Sequence, residues 1–310
     1  MRLLITGASG YVGGRLAQSL AVEPDYSLLL GSRQAGDSAP WAHLGKPVQT
    51  RWDSPSKLAR VCEGVDAVIH LAGMNAGDCA ADPSSALRVN GLSTSHLLQA
   101  AIQQGTKRFI YLSTAHVYAS PLIGTLSEQS CSHNLHPYAT SHRAGEDVVR
   151  FAHARGDIEG IVVRLSNAFG VPAHRNANCW MLLVNDLCRQ SIENGCMVLR
   201  SSGLQRRDFI TLADTCRSIC HLLGLPVAML GDGVFNVGGQ TMSVISMAEK
   251  VQERCLSVCG FLPEIKRPEP SGNEVEKSLE YISEKLRSTG FLPSENEDAE
   301  IDAILKMCQA

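Results

Sequence analysis

Met1-Arg2-Leu3-Leu4-Ile5-Thr6-Gly7-Ala8-Ser9-Gly10-Tyr11-Val12-Gly13-Gly14-Arg15-Leu16 opens the chain, and its reading decides the fold. Residues 2–6 form a short apolar run that reads as a buried strand, and residues 11–20 read as the start of a helix. Between them Gly7, Gly10 and Gly13 recur as G-x-x-G-x-x-G. A glycine turn from strand into helix aims free backbone N–H groups and the positive end of the helix dipole at one point, a site for a diphosphate. Glycine is needed there because a Cβ would block the approach of the phosphates or force an unfavourable turn. The stretch reads as a dinucleotide cradle, with Tyr11 and Val12 at the helix start.

Outward from this unit, strand-like runs at 27–31, 48–52, 67–70, 109–113 and 161–165 alternate with helix-length segments, among them 83–104 and 138–155. Such alternation marks a parallel sheet covered on both faces. It weakens after residue 171, where 179–193 reads as a helix and 203–223 as a strand plus helix returning to the sheet. Prolines at 263, 268, 270 and 293 break the tail. The expected fold is α/β: a doubly wound parallel-sheet Rossmann domain over 1–170, rejoined by 203–240. A smaller C-terminal substrate-binding lobe takes the discontinuous segments 171–202 and 241–310.

A chain of 310 residues can bury a large core, and 44% apolar with 19% charged residues is ordinary for such a protein. The net charge of −3 and the lack of a basic tract argue against nucleic acid as a partner. No apolar run reaches the length of a membrane span and no secretory pattern precedes the first strand, so a cytoplasmic location is expected. The 11 cysteines are scattered and never spaced C-x-x-C. They read as reduced core thiols, and no metal site is expected.

Three further segments lie at strand ends, where ligands of such sheets bind. They are Tyr111-Leu112-Ser113-Thr114-Ala115-His116-Val117-Tyr118, His136-Pro137-Tyr138-Ala139-Thr140-Ser141-His142-Arg143-Ala144-Gly145-Glu146, and Arg164-Leu165-Ser166-Asn167-Ala168-Phe169-Gly170. Together with 6–13, 70–73, 207–210 and 236–239, they resemble the extended short-chain dehydrogenase/reductases, and more narrowly the NAD-dependent epimerase/dehydratase (nucleotide-sugar) family. The resemblance covers nearly the whole chain, with the motifs in the family's order.

The resemblance implies that Tyr138 is the acid/base that moves a proton to or from a sugar oxygen. A free phenol, with a pKa of about 10, is a poor base at neutral pH. In the family a lysine four residues later lowers that pKa and holds the nicotinamide ribose; here the position is His142. Three readings follow: a variant in which His142 works as an imidazolium, a slow enzyme, or a member that binds nucleotide without turnover. With an imidazolium, activity would fall as pH rises through the histidine pKa. Thr114 matches the hydroxyl that polarises the reacting C–O bond. Ala115 and His116 replace the Asp–Glu pair of the 4,6-dehydratases, so dehydration is not expected. His116 takes the position of an acid/base in 3,5-epimerases and reads equally as a residue that only lines a sugar pocket; His174 lies roughly where the opposing acid/base would be, and reads more readily as a solvated loop residue.

For the cofactor, the resemblance points to Gly7, Gly10 and Gly13 for the diphosphate, Asp53 for adenine, and Leu71-Ala72-Gly73 flanking it. The second strand ends in Ser32-Arg33 where an acidic residue would indicate NAD. Arginine suits a 2′-phosphate, so NADP is the preferred expectation and NAD the alternative. Asn167 and Arg207 match positions that hold a sugar nucleotide's diphosphate. The implied function is NAD(P)-dependent epimerisation or 4-ketoreduction of a nucleotide-diphosphate sugar, with Tyr138 as proton relay. The alternatives are a non-catalytic nucleotide-binding homologue and a reductase of non-sugar ketones or aldehydes. The family's habit of pairing helices between subunits makes a homodimer the default expectation.

Overall fold

The seven strands of the main sheet run in parallel and surround β1 (Arg2–Thr6), the strand that leads into the glycine turn. The others are β2 (Ser27–Ser32), β3 (Lys46–Gln49), β4 (Ala67–His70), β5 (Arg108–Thr114), β6 (Glu159–Leu165) and β7 (Val234–Val237). Their spatial order is β7-β6-β5-β4-β1-β2-β3. Strand order therefore reverses at β1, whose neighbours are β2 and β4, and the carboxyl ends there form the crevice in which such sheets take ligands. The computed structural model describes residues 1–33, 41–272 and 274–309.

The absence of apolar/polar alternation in the central strands is explained by burial on both faces. Leu3 and Ile5 pack with Leu16, Ala17 and Leu20 of the Tyr11–Ala21 helix, and with Ile219 and Leu222 of the Leu212–Gly224 helix. Leu4, on the opposite face, joins Leu58, Leu97, Ala101 and Phe109. A third core, including Phe169, Leu187, Phe209, Val251 and Ile304, belongs to the C-terminal part. Arg15 ties the two together by donating to the Val171 carbonyl at 2.7 Å and pairing with Glu300 at 3.0 Å.

Several expectations shift. β3 pairs over Lys46–Gln49 rather than 48–52. It is an edge strand with one neighbour, so Pro47 costs no ladder bond on a second side. The expected 83–104 helix is interrupted: α-helical turns over Pro83–Ala86 and Thr94–Gln103 flank a wider π turn at Leu87–Ser93. The 179–193 helix begins only at Leu183. The Arg206–Thr211 strand does not return to the main sheet. It pairs in parallel with Asn167–Phe169 and antiparallel with Gln240–Ser243 in a separate three-stranded sheet, while the helix after it and β7 do rejoin the large one.

The Pro137–Ala154 helix lies against β5 at a glycine. A Cβ on Gly145 would sit 2.5 Å from the Tyr111 hydroxyl and 2.7 Å from the Asn90 carbonyl oxygen. At the next residue, the buried Glu146 carboxylate pairs with Arg164 of β6 at 2.6 Å and accepts from Ser113. The pair fixes helix, β5 and β6 in one register, because either charge left alone in this interior would be costly. We predict opposite signs for two Gly→Ala changes followed by chemical denaturation. Gly145→Ala should destabilise by about 1–3 kcal/mol through overpacking against Tyr111. Gly224→Ala, at a helix end where an added Cβ meets nothing within 4 Å, should be neutral or stabilise by about 0.5 kcal/mol.

Candidate active site

The glycine turn is built as a cradle. Gly7 takes φ +70°, and a Cβ there would lie 2.8 Å from the Ala72 nitrogen; a Cβ on Gly13 would lie 2.1 Å from the Gly7 carbonyl oxygen. The turn thus packs directly on Leu71-Ala72 at the end of β4. Thr6 reinforces the contact, its hydroxyl accepting from the Ala72 amide at 3.3 Å. No side chain caps the Tyr11–Ala21 helix and no acidic residue occupies its first turn, so its leading amides and dipole are left for an anion. Tyr11 contributes only backbone to this arrangement: its phenol donates to the Gly170 carbonyl at 2.9 Å, away from the turn.

Arg33 is exposed where β2 ends, and among the described residues its guanidinium has no partner. Asp53 is exposed just before Ser54, which caps the Pro55–Cys62 helix. Ser32 lies half-buried beside them.

Tyr138, Thr114 and His142 come together above the ends of β4 and β5. Tyr138 lies in the first turn of its helix, and burial raises its phenol above the ordinary value, with Thr114 beside it pulling the other way. The His142 ring stands edge-on to the Tyr138 ring with centroids 4.6 Å apart. It is 6% exposed, and burial pushes its pKa down to about 4. Burial by Tyr111, Tyr138 and the backbone at Gly73 works against the imidazolium form of the ring. Thr114 accepts from the His116 amide at 3.1 Å, which fixes the tight turn leaving β5.

His116 is half-buried, and burial, followed by the nearby Arg207 charge, lowers its pKa as well. His174 does not oppose it. Its Nε2 lies 3.1 Å from the Ser9 carbonyl over the glycine turn, so the two imidazoles do not flank one sugar carbon. Asn167 donates to the Asp208 carbonyl at 2.8 Å, bracing its own strand. Arg206 pairs with Glu276, whereas Arg207 is half-buried with no hydrogen-bond or ion-pair partner among the described residues. Asp208 and Asp214 hold local structure: the first accepts from Gly239 and Thr241, the second from Ser294 and Arg217.

The sequence reading missed the polar scaffold beneath the site. Asn90, in the π turn, accepts from the Met74 amide at 2.8 Å and donates to Ser141 at 3.0 Å, joining the loop after Gly73 to the residue before His142. His70 bridges Thr6 at 2.6 Å and Thr94 at 3.0 Å. The Tyr111 hydroxyl lies 3.0 Å from His142 Nδ1. Polar residues inside otherwise apolar strand and helix runs were the available signal.

Among the described residues no helix is long and apolar enough to cross a membrane, and no cluster of acidic, histidine or cysteine side chains is suited to a metal. A sequence profile described as NAD dependent epimerase/dehydratase family matches residues 3–238. The chain is 26% identical to a dTDP-glucose 4,6-dehydratase of Streptomyces niveus, over 94% of this chain and 88% of that one. It is 36% identical to a GDP-6-deoxy-D-mannose reductase of Pseudomonas aeruginosa over 47% of this chain and 45% of the relative. Its fold superposes on a UDP-glucuronic acid 4-epimerase from Bacillus cereus in complex with NAD, with TM-score 0.83, 20% identity, and coverage of 100% of this chain and 96% of that one. It also superposes on the RMD protein of Pseudomonas aeruginosa complexed with NADPH, with TM-score 0.79, 24% identity and coverage of 99% and 98%. With the glycine turn, the strand-end tyrosine and this match in hand, the chain belongs to the NAD-dependent epimerase/dehydratase family.

Proposed function

We propose that this protein reduces a keto group on a nucleotide-diphosphate sugar, using a nicotinamide cofactor, with Tyr138 as the proton donor. The observation that carries the reading is the close contact of the Tyr138 and His142 rings, 4.6 Å between centroids, in surroundings whose burial works against the charged form of each. Tyr138 is held above its ordinary pKa, and its neighbour His142 is neutral. Oxidation of an alcohol, the first half of an epimerase cycle, begins with a base, and a raised phenol without an adjacent cation is rarely ionised at pH 7. Reduction begins with an acid. A protonated phenol still gives its proton downhill to the alkoxide that develops as a ketone is reduced. When bound, the nicotinamide supplies the hydride that makes this a reduction.

The cofactor fit rests on the uncapped helix start and on the tight main-chain turn that Gly7 and Gly13 permit. Leu71, Ala72 and Gly73 border it, and Arg33 offers an unpaired guanidinium at the end of β2 for a 2′-phosphate, which favours NADPH. His142 would meet the cofactor ribose as an uncharged hydrogen-bond donor. Thr114 orients the substrate oxygen toward Tyr138. Arg207 supports an anionic substrate: a half-buried guanidinium with no carboxylate partner suits the diphosphate of a sugar nucleotide. Asn167 and His116 line the same side, with His116 neutral and so suited to a sugar hydroxyl rather than a second charge.

The test is NADPH oxidation with a 4-keto nucleotide sugar, compared with NADP⁺ reduction by the corresponding alcohol. Ketone reduction should hold level from about pH 6 to 8, since neither His142 nor Tyr138 titrates there, whereas alcohol oxidation should climb with pH toward the phenol pKa. His142→Lys should raise oxidation at neutral pH by tenfold or more, on the order of one pKa unit of phenol stabilisation. A rate of reduction that falls through pH 6–7 would contradict the reading. Arg207→Gln should raise KM for the sugar nucleotide roughly tenfold or more with kcat little changed.

A further inference from the structure

The residue beneath His142 has a part of its own. Tyr111 sits in the middle of β5, 1% exposed, with its ring tilted against His142 at 5.8 Å between centroids. Its hydroxyl has a single proton and two acceptors within reach: His142 Nδ1 at 3.0 Å and the Asn90 carbonyl at 3.3 Å. The Asn90 carbonyl already accepts from Thr94 at 2.7 Å. The shorter of the two contacts is the one to Nδ1, and an Asn90 carbonyl already serving Thr94 needs the Tyr111 proton less. Burial holds the Tyr111 phenol well above its ordinary pKa, so it remains a donor at every pH of interest. Gly145 makes the geometry attainable, since a Cβ at that position would fall on the hydroxyl itself.

On the far side of the ring, Nε2 has no hydrogen-bond partner among the described residues, and it is not one of the sealed, unsatisfied polar atoms of the interior. The ring's Cε1 lies 3.7 Å from where a Cβ on Gly73 would point, at the end of β4 beside the cradle. Resting on the cofactor reading above, we propose that Tyr111 is a positioning residue: it donates to Nδ1 and thereby locks His142 as the Nε2–H tautomer, whose outward N–H is the donor for the cofactor ribose. The pair would supply the hydrogen-bonding half of a lysine's duty and none of its charge. The Tyr111 hydroxyl and His142 are then one device, and changing the histidine alone removes the need for that hydroxyl.

The experiment has two readouts. Long-range ¹⁵N–¹H correlation spectra of histidine-labelled protein without nucleotide report the tautomer of His142, assigned by its loss in His142→Lys. NADPH affinity is then measured by fluorescence titration for wild type, Tyr111→Phe, His142→Lys and the double variant. The expected results are an Nε2–H tautomer in the wild type that is lost or mixed in Tyr111→Phe, and a roughly tenfold weaker Kd for Tyr111→Phe, the worth of one hydrogen bond. In the His142→Lys background the same change should alter Kd less than twofold. An Nδ1–H tautomer in the wild type overturns the proposal, with or without nucleotide binding, as does an equal loss of affinity in both backgrounds, the signature of a merely structural tyrosine. Failure of the functional reading would look different: the tautomer and the coupling would be found in a protein that reduces no keto sugar.

Discussion

The removal of water from the His142 ring is the constraint on which the site turns. A lysine ammonium at that place would carry a full charge and would draw the phenol beside it toward ionisation. The imidazole, closed in by Tyr111, Tyr138 and the loop at Gly73, holds no charge at neutral pH. Solvating a cation there would take water or a carboxylate. The buried carboxylate on the same helix, Glu146, is already committed to Arg164 and Ser113. The electrostatics of the site therefore follow from how tightly the Pro137–Ala154 helix packs on β5, and that packing follows from Gly145.

The same economy runs through the cofactor side. A main-chain turn that presses on Leu71-Ala72 leaves no room for side chains at Gly7 and Gly13, and the helix it opens has no cap of its own. Thr6, His70, Thr94 and Asn90 continue that contact inward as a chain of hydrogen bonds beneath the strand ends. The cradle and Tyr138 thus rest on one polar scaffold rather than on separate loops, which places both within a rigid frame.

Much of this was legible in the sequence. The glycine spacing fixed the first strand–turn–helix unit, and the apolar runs located β1, β2, β4, β5 and β6 to within a residue or two, because strands buried on both faces have little freedom in composition. β3 slipped by two residues because an edge strand with one neighbour is weakly specified. The Arg206–Thr211 strand read as a member of the large sheet because periodicity reports that a strand is buried and not what it pairs with. Tyr138, Thr114 and His142 could be named from the family resemblance, but the charge of His142 could not, since it depends on dehydration by residues distant in sequence. The parts of Tyr111 and Asn90 were not legible for the same reason: their partners are 31 and 51 positions away, at His142 and Ser141. His174 lies over the glycine turn, where Ser9 and the packing of Ala173 on Gly14 hold its loop, neither visible in a motif.

The claim that unites fold, site and function is that the 142 position contributes no charge. It is tested most directly by an NMR pH titration of the His142 ring in the intact protein. The account predicts a midpoint near about 4, with the ring neutral throughout the neutral range. A midpoint at or above the ordinary histidine value of about 6.5 would contradict it, and would restore to this site the cation that the reductive reading does without.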